Sequence, residues 1–370
     1  MNTIDSIIDD VYQGHRIQAD DAEILYNNAP LLTIANLADQ IRNTKHPDPI
    51  VTFVVDRNIN YTNVCISRCK FCAFCCTPDH PEAYVISKKE LDKKIKETIE
   101  SGGTQLLIQG GMHPDLTFSY YIDLLNYIKT NYDIHIHGFS PPEIEHISRI
   151  AGLSFNETIK KLKQAGLDSI PGGGAEILVD SVRCHISPNK CDAETWLSIM
   201  KEAHNEGLPT SATMMFGHIE TTEQIISHLF KIRELQDQTQ GFTAFIPWTF
   251  QPQNTHIHVK KATAWQYLRV LALSRIVLDN VPNIQASWVT QGDKIGQLAL
   301  AFGANDLGST MIEENVVSAT GVNFRLSKQD MIRLIQTAGF KAAQRNCTYE
   351  ILKNFSNSDS KNSDSGIIAC

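Results

Sequence analysis

The sequence contains no long hydrophobic run and no N-terminal segment typical of secretion. No stretch approaches the roughly 18 apolar residues that a membrane span needs. The first residues, MNTIDSIIDD, are acidic and lack the basic and apolar regions of a signal peptide. We therefore expect a cytoplasmic protein that makes no contact with a membrane.

Positive charge is in deficit, and no block of basic residues occurs. The 33 Lys and Arg residues are outnumbered by 41 Asp and Glu residues, which gives a net charge of -8. Because contacts with phosphate groups need clustered Lys and Arg, nucleic acid is not an expected partner. A small molecule is the expected substrate, and 370 residues suffice for one large domain. The composition does not specify an oligomeric state.

From residue 50 onward, short β-rich runs alternate with amphipathic stretches of helix length. The predicted strands are 51–55, 104–108, 133–138, 167–170, 210–215, 242–247, 283–288 and 304–311. The predicted helices lie near 87–101, 117–131, 154–165, 192–206, 222–238, 263–279, 292–302 and 327–338. Strands that alternate with helices run parallel. Eight such units in roughly 290 residues predict an α/β fold, a closed (β/α)8 barrel of the TIM type, with an open doubly wound sheet as the alternative.

The two ends of the chain differ from this repeating part. Residues 1–48 show the apolar spacing of helices and are predicted to form a helical extension before the barrel, which spans 49–350. Residues 351–370 are rich in Ser, Asn and Asp, a composition that predicts a disordered tail.

Glycine, polar and aromatic residues follow the predicted strands, as in QGGMHPD, PGGGAE, FGHIET, WTFQPQNT and GSTMIEEN. In a (β/α)8 barrel the loops after the strands form the active site. We therefore expect the functional residues to meet at this end of the barrel.

Five of the nine cysteines lie between residues 65 and 76, after the first predicted strand. In a reducing compartment, clustered cysteines indicate metal or redox chemistry more often than disulfides. Cys65, Cys69 and Cys72 form C-x3-C-x2-C. Cys69, Cys72 and Cys75 also match the ferredoxin spacing C-x2-C-x2-C, and Cys72 with Cys75 matches half of a zinc site. The spacing alone leaves these three interpretations open.

The context of the motif resembles the radical S-adenosylmethionine (radical SAM) superfamily. An aromatic residue, Phe71, precedes Cys72, and the motif follows the first strand of a β/α series. The resemblance implies that Cys65, Cys69 and Cys72 hold three irons of a [4Fe-4S] cluster. The fourth iron binds S-adenosyl-L-methionine, whose cleavage yields a 5'-deoxyadenosyl radical. Phe71 would then pack against the cofactor, whereas Cys75 and Cys76 would be ordinary packing residues.

The same resemblance assigns roles to other loop residues. Gly110 and Gly111 match the glycine motif whose backbone receives the methionine amino group of the cofactor. Glu176 stands where related enzymes often bind the ribose hydroxyls of the cofactor. We predict substrate contacts at four residues, which are His113, Arg183, Trp248 and Gln251. The base that the reaction needs is not identified, and its candidates are His218, Asp306 and Glu313.

Longer stretches, among them SIPGGGAEILVDSVR, GFTAFIPWTFQP and FGANDLGSTMIEENVV, resemble the cyclic dehypoxanthine futalosine synthases of menaquinone biosynthesis. The resemblance covers about residues 50–350. It implies cyclisation of dehypoxanthine futalosine, which starts with removal of the ribose C4' hydrogen, with electrons supplied by a donor such as flavodoxin or ferredoxin. Cys75 and Cys76 depart from the aromatic and basic residues usual there, which leaves the packing of the cluster loop in question.

Three other interpretations remain open at this stage. Aminofutalosine synthase and the radical SAM half-enzyme of deazaflavin synthesis share part of the resemblance. A non-enzymatic iron–sulfur or zinc protein is an alternative of a different class. The number of polar residues after the strands favours an enzyme over that alternative, because an electron carrier does not need a polar barrel mouth.

Overall fold

The computed structural model describes residues 2–356. Its helices are α1 (Ile4–Tyr12), α2 (Ala19–Asn28), α3 (Leu31–Lys45), α4 (Lys88–Glu100), α5 (Phe118–Asn131), α6 (Pro141–Ala151), α7 (Phe155–Ala165), α8 (Asp180–Ile186), α9 (Ala193–Asn205), α10 (Thr222–Thr239), α11 (Ala264–Val277), α12 (Trp288–Gln291), α13 (Asp293–Leu298) and α14 (Lys328–Thr337). Its strands are β1 (Ile50–Val54), β2 (Asp56–Ile59), β3 (Gln105–Ile108), β4 (His135–Gly138), β5 (Thr210–Phe216), β6 (Phe242–Thr249), β7 (Asn283–Ile284), β8 (Asp306–Ser309), β9 (Lys341–Arg345) and β10 (Ile351–Phe355). Within this part of the chain, no helix has the length and apolar character needed to cross a membrane.

The strands close into a parallel barrel. β1 and β2 are consecutive halves of one strand, and they pair with β8 and β3 respectively. β3 pairs with β4, β5 with β6, and β6 with β7, all in parallel. Parallel bridges at Ser169, Ile170 and Gln285 connect the remaining neighbours. This ring confirms the predicted (β/α)8 barrel, and the open doubly wound sheet is wrong.

Three helices in residues 2–356 were not predicted from the sequence, which are α6, α8 and the four-residue α12. α6 begins in SPPE, where Ser140 and Glu143 form a capping box and proline occupies the first turn. This is a recognisable helix start, although no helix was predicted at this position. The short α8 lies inside the loop after the fourth strand. The helix predicted at 292–302 is instead divided between α13 and a 3-10 turn at Ala299–Phe302.

The predicted N-terminal helical extension is confirmed as α1, α2 and α3. α3 packs against α11, and α2 packs against α10 and α11, so the extension covers the outside of the barrel. Leu25, Ile34 and Leu37 are fully buried there and continue the core that lies between the strands and the outer helices.

The predicted boundary between barrel and tail at residue 350 is wrong. β9 pairs in parallel with β1, and β10 returns antiparallel to β9. Phe355 is buried and its ring stacks on Phe53, with centroids 5.8 Å apart. Residues 351–355 therefore belong to the folded domain, because backbone pairing and one aromatic anchor outweigh their polar composition. The remainder of the predicted tail, 357–370, lies outside the described residues. We refer to residues 341–355 as the C-terminal hairpin.

Candidate active site

A cavity of about 310 Å³ runs along the inside of the barrel. Its walls come from alternate positions on the strands, because every second side chain of a barrel strand points inward. Polar residues contribute to the wall from the strands or their immediate ends, among them Asp56, Asn58, Gln105, Gln109, Ser211 and Gln285. The size and mixed polarity of the cavity suit a small polar substrate.

These strand residues were not predicted as site residues. The sequence signal was present in VTFVVDRNIN, where Asp56 and Asn58 alternate with apolar or outward positions in a buried strand. The sequence analysis expected functional residues only in the loops after the strands, and it therefore missed these residues within the strands. Asp56 accepts a hydrogen bond from Gln105 Nε2 at 2.8 Å and another from Ser309 Oγ. Burial raises the pKa of this carboxyl group.

The cysteine loop follows β2 and is fastened to its neighbours. The backbone N–H of Cys65 donates to Cys76 O at 3.1 Å, which closes the loop on itself. The N–H of Met112 donates to Cys65 Sγ at 3.4 Å, which joins the loop to the segment after β3. Asn189 donates to Ser67 O at 3.2 Å and so ties the loop to the segment between α8 and α9.

The thiols of this loop differ in their environments. Burial raises the pKa of Cys65, and raises the pKa of Cys69 to about 11. A hydrogen bond from Cys75 lowers the pKa of Cys72 to about 6, against the effect of burial. All described cysteines are free thiols, so Cys65, Cys69 and Cys72 are available to a cluster. In residues 2–356 no three thiol, imidazole or carboxylate groups gather closely enough for one metal ion.

Gly110 and Gly111 permit two loops to lie in contact. A Cβ atom on Gly111 would stand 2.1 Å from Val64 O and 2.8 Å from Cys65 Cβ. A Cβ atom on Gly110 would stand 2.7 Å from the Tyr61 ring, and the Gly110 N–H donates to Glu143 Oε1 at 2.9 Å. Only glycine therefore fits here, and the backbone after β3 lies directly beside the first cysteine of the motif.

Glu176 links the cavity to the cysteine loop. Its carboxylate is buried, and Oε1 accepts from Lys190 Nζ at 2.8 Å. The same Lys190 Nζ lies 5.0 Å from the centroid of the Phe71 ring. Glu176 Oε2 has no hydrogen-bond partner, although it is buried and Arg183 stands 3.9 Å away. A buried carboxylate oxygen without a donor fits a ligand that brings hydroxyl groups, as the predicted cofactor ribose does.

Arg183 does not face the cavity. Its Nη1 donates to the carbonyl oxygens of Gly174 and Ala175 at 3.1 and 2.6 Å, and its Nε and Nη2 donate to Cys191 O. The guanidinium group thus holds the glycine-rich loop in shape. These backbone acceptors occupy most of its donors, so the structure does not bring Arg183 to the cavity, and its contact with substrate stays a prediction.

Two of the candidate bases are also engaged elsewhere. The side chain of His218 is fully buried, with Nδ1 2.8 Å from Glu220 Oε2 and Nε2 3.1 Å from Met215 O. Asp306 is fully buried and forms an ion pair with Arg345, with bonds of 2.5 and 3.0 Å. Neither residue lines the cavity. The structure therefore shows structural partners for both residues and does not bring either candidate base to the cavity.

Glu313 also lies outside the cavity, where its carboxylate binds Lys94 Nζ at 2.5 Å. The neighbouring Glu314 lines the cavity instead, with its oxygens accepting the N–H groups of Val316, Val317 and Ser318. The structure therefore does not bring the candidate base Glu313 to the cavity, and the identity of the base stays open. A loop without regular structure gave no periodicity from which to choose between the two carboxylates.

Of the remaining residues predicted to contact substrate, one lines the cavity and two do not. Trp248 lines the cavity, and its contact with substrate stays a prediction. Gln251 is buried below the loop and donates to Thr249 O at 3.1 Å. His113 accepts the N–H of Asp115 at 3.1 Å. Neither Gln251 nor His113 lines the cavity, so the structure does not bring them together with Trp248.

Two known protein-family patterns match parts of the sequence. The Radical SAM superfamily matches residues 59–232, which include the cysteine loop and Glu176. The CofH/MqnC C-terminal region matches residues 239–358, which include the C-terminal hairpin.

Three similar proteins extend over most of the chain. Cyclic dehypoxanthine futalosine synthase of Halalkalibacterium halodurans is 45% identical over 364 residues, which cover 98% of either chain. The protein of the same name from Streptomyces coelicolor is 44% identical, over 94% of this chain and 88% of its own. The 5-amino-6-(D-ribitylamino)uracil–L-tyrosine 4-hydroxyphenyl transferase of Methanopyrus kandleri is 42% identical, over 82% of this chain and 85% of its own.

Solved structures with the same fold have much lower sequence identity. The FeFe-hydrogenase maturase HydG from Carboxydothermus hydrogenoformans superposes with a TM-score of 0.75 at 16% identity, over 94% of this chain and 80% of its own. Methylornithine synthase (PylB) gives a TM-score of 0.69 at 18% identity, over 91% and 97%. These likenesses show the fold alone.

Proposed function

The chain belongs to the radical SAM superfamily, and on this basis we propose that it converts dehypoxanthine futalosine to its cyclic form in menaquinone biosynthesis. The observation that carries the proposal is the 45% identity to a cyclic dehypoxanthine futalosine synthase over 98% of both chains. The similarity thus includes the barrel, the cysteine loop and the C-terminal hairpin. We further propose a cytoplasmic location and a small one-electron donor protein such as flavodoxin or ferredoxin.

The superfamily uses a [4Fe-4S] cluster with S-adenosyl-L-methionine, and the loop residues of this chain fit that pair. When bound, these cofactors would supply a 5'-deoxyadenosyl radical able to remove the C4' hydrogen of the substrate ribose, which would allow the ribose carbon to join the benzoate ring. We assign Cys65, Cys69 and Cys72 to the cluster. Gly110 and Gly111 hold the backbone after β3 beside Cys65, where the superfamily resemblance assigns it to the methionine amino group, and Glu176 Oε2 would accept a hydroxyl hydrogen of the cofactor ribose.

The barrel supplies orientation and protection from water. The cavity is closed on its sides by the ring of strands, and polar groups such as Asn58, Gln105 and Ser211 project into it. Such groups fix a polar substrate through hydrogen bonds, while the enclosing wall keeps water from a reactive carbon centre. Glu176 lines the cavity and contacts Lys190, and these contacts support a cofactor site next to the substrate cavity.

A second candidate function is 4-hydroxyphenyl transfer from tyrosine to 5-amino-6-(D-ribitylamino)uracil. The observation that favours it is the 42% identity to the Methanopyrus kandleri transferase, which is only slightly lower than that to the cyclases. That similarity extends over 82% of this chain rather than 98%, and we therefore rank it second.

The test is an anaerobic assay of the reconstituted protein with a reductant, S-adenosyl-L-methionine and dehypoxanthine futalosine. We expect 5'-deoxyadenosine and a cyclic product that has lost two hydrogen atoms. One is transferred to the deoxyadenosyl group, and the other leaves as a proton together with one electron, which the oxidised iron–sulfur cluster would accept. A parallel assay supplies tyrosine and 5-amino-6-(D-ribitylamino)uracil. Product in the parallel assay alone would replace the first function by the second.

A further inference from the structure

The C-terminal hairpin enters the barrel and forms the floor of the cavity. β9 runs parallel to β1, so the chain after Lys341 rises beside the first barrel strand. Three alternate residues from the end of β9 onward line the cavity, which are Arg345, Cys347 and Tyr349. They stand at the beginnings of the barrel strands, because Arg345 binds Asp306 at the start of β8 and Cys347 Sγ lies 3.4 Å from Ser169 Oγ. This floor is opposite the loops that contain the cysteines.

The floor is held by charge and by hydrogen bonds. Arg345 donates twice to Asp306 and once to Asn346 O, the last at 3.0 Å. The Arg345 guanidinium carbon lies 3.9 Å from the centroid of the Tyr349 ring. Since the guanidinium group is fixed by β8, the aromatic ring stacked on it is fixed as well.

The turn that presents Tyr349 has an unusual backbone. Asn346 Oδ1 accepts the N–H groups of Thr348 and Glu350 at 3.0 and 2.9 Å and so closes the turn. Within it Tyr349 has a φ of 67°, in the left-handed region that bulky residues rarely adopt. Such strained positions concentrate at binding and catalytic sites, where the surrounding structure imposes them.

The hydroxyl group of Tyr349 makes no hydrogen bond to any residue in 2–356, and it is not among the fully enclosed unpaired atoms. Other tyrosines of the barrel differ, since Tyr61 donates to Glu143 at 2.9 Å and Tyr267 accepts the Ser287 N–H at 2.7 Å. Burial raises the pKa of Tyr349, so the phenol remains protonated and is a donor at neutral pH. A fixed donor that lines a cavity without an internal acceptor is suited to a bound ligand.

We propose that Tyr349 binds the substrate through a hydrogen bond from its hydroxyl group to a carboxylate or hydroxyl oxygen at the cavity floor. The inference rests on the proposed function for the identity of the substrate. It makes the C-terminal hairpin part of the substrate site, in addition to its role in closing the barrel.

The test compares Tyr349→Phe with Tyr120→Phe in the reconstituted enzyme. Tyr120 is the matched control, because its hydroxyl also has no partner but the residue does not line the cavity. We expect Tyr349→Phe to raise KM for dehypoxanthine futalosine about fivefold with little change in kcat, as loss of one hydrogen bond predicts. Tyr120→Phe should leave KM unchanged, and both variants should keep the melting temperature of the wild type.

Hydrogen–deuterium exchange gives a second measurement that does not depend on turnover. Dehypoxanthine futalosine should slow exchange in peptides that contain residues 346–350 of the wild-type holoenzyme. An active wild type whose Tyr349→Phe variant has normal KM, or whose turn shows unchanged exchange, would overturn the role of Tyr349. A wild type that gives no cyclic product would instead refute the proposed function.

Discussion

Cys75 is placed beside a cluster residue without being one of the three in the motif. Its thiol lies 3.8 Å from Cys72 O, and a hydrogen bond from Cys75 is what lowers the pKa of Cys72. Cys69 is buried deeper, against Ser67 Oγ at 3.0 Å. At the residue scale, the Cys75 thiol therefore has a different role from the others: it forms a hydrogen bond to its neighbour Cys72, whereas the thiols of the motif are available as ligands.

Substitution of the two cysteines tests this separation. We expect Cys69→Ala to lose the cluster, whereas Cys75→Ala should keep about four irons per chain and the absorption of a [4Fe-4S] centre. Iron analysis and absorption spectra of the anaerobically reconstituted variants measure the difference. The reverse result would move the ligand set to the ferredoxin spacing of Cys69, Cys72 and Cys75.

At the scale of elements, the C-terminal hairpin is fastened to the barrel by one buried ion pair. Asp306 at the start of β8 receives Arg345 at the end of β9, and Thr52 Oγ1 of β1 donates to the same carboxylate at 2.5 Å. Both charged side chains are nearly or completely buried. The pair thus joins three strands, and removal of one partner would leave the other charge buried without compensation.

The variants Asp306→Asn and Glu313→Gln should differ strongly in stability. Asp306→Asn is expected to lower the free energy of unfolding by about 3 kcal/mol, because Arg345 loses its buried counter-ion. Glu313→Gln should lower it by less than about 1 kcal/mol, because its pair with Lys94 is partly exposed. Denaturant unfolding measures both. Equal losses would show that Asp306 does not anchor the hairpin.

At the scale of the whole molecule, several histidines are buried or half-buried in the neutral state. Burial lowers the pKa of His204 to about 4, and lowers that of His137 and of His228 to about 3. Each is protonated more readily in the unfolded chain, where the pKa is about 6.5. The stability from these neutral histidines is present above about pH 6.5 and is lost as the pH falls toward 4.

His204→Gln should make the free energy of unfolding less dependent on pH. Between pH 6.5 and 4, the wild type should lose up to about 3 kcal/mol that the variant does not lose, because only the wild type has this histidine to protonate on unfolding. Urea unfolding at a series of pH values measures the difference. His185→Gln, at an exposed position, is the control and should follow the wild type. A curve for His204→Gln parallel to that of the wild type would contradict the assignment.

Features that depend on neighbours along the chain were determined by the sequence alone. The β/α alternation, the C-x3-C-x-F-C motif and the glycines of QGG and PGGGAE are local, because strand periodicity, a cluster loop and a tight turn are each built within a few residues. From them followed the barrel, the cluster residues and the cofactor pair. Glu176 was also selected in this way from its place after the fourth strand, and the structure shows that it lines the cavity.

The tertiary structure decided which polar side chains share the cavity. His218 and Asp306 had the right position after or within a strand, but their partners Glu220 and Arg345 became visible only with the chain folded. Asp56 and Tyr349 reach the cavity because strand register and the insertion of β9 beside β1 point them inward. Hydrogen-bond partners distant in sequence are set by the order and register of the strands. Local sequence patterns predict neither the order nor the register.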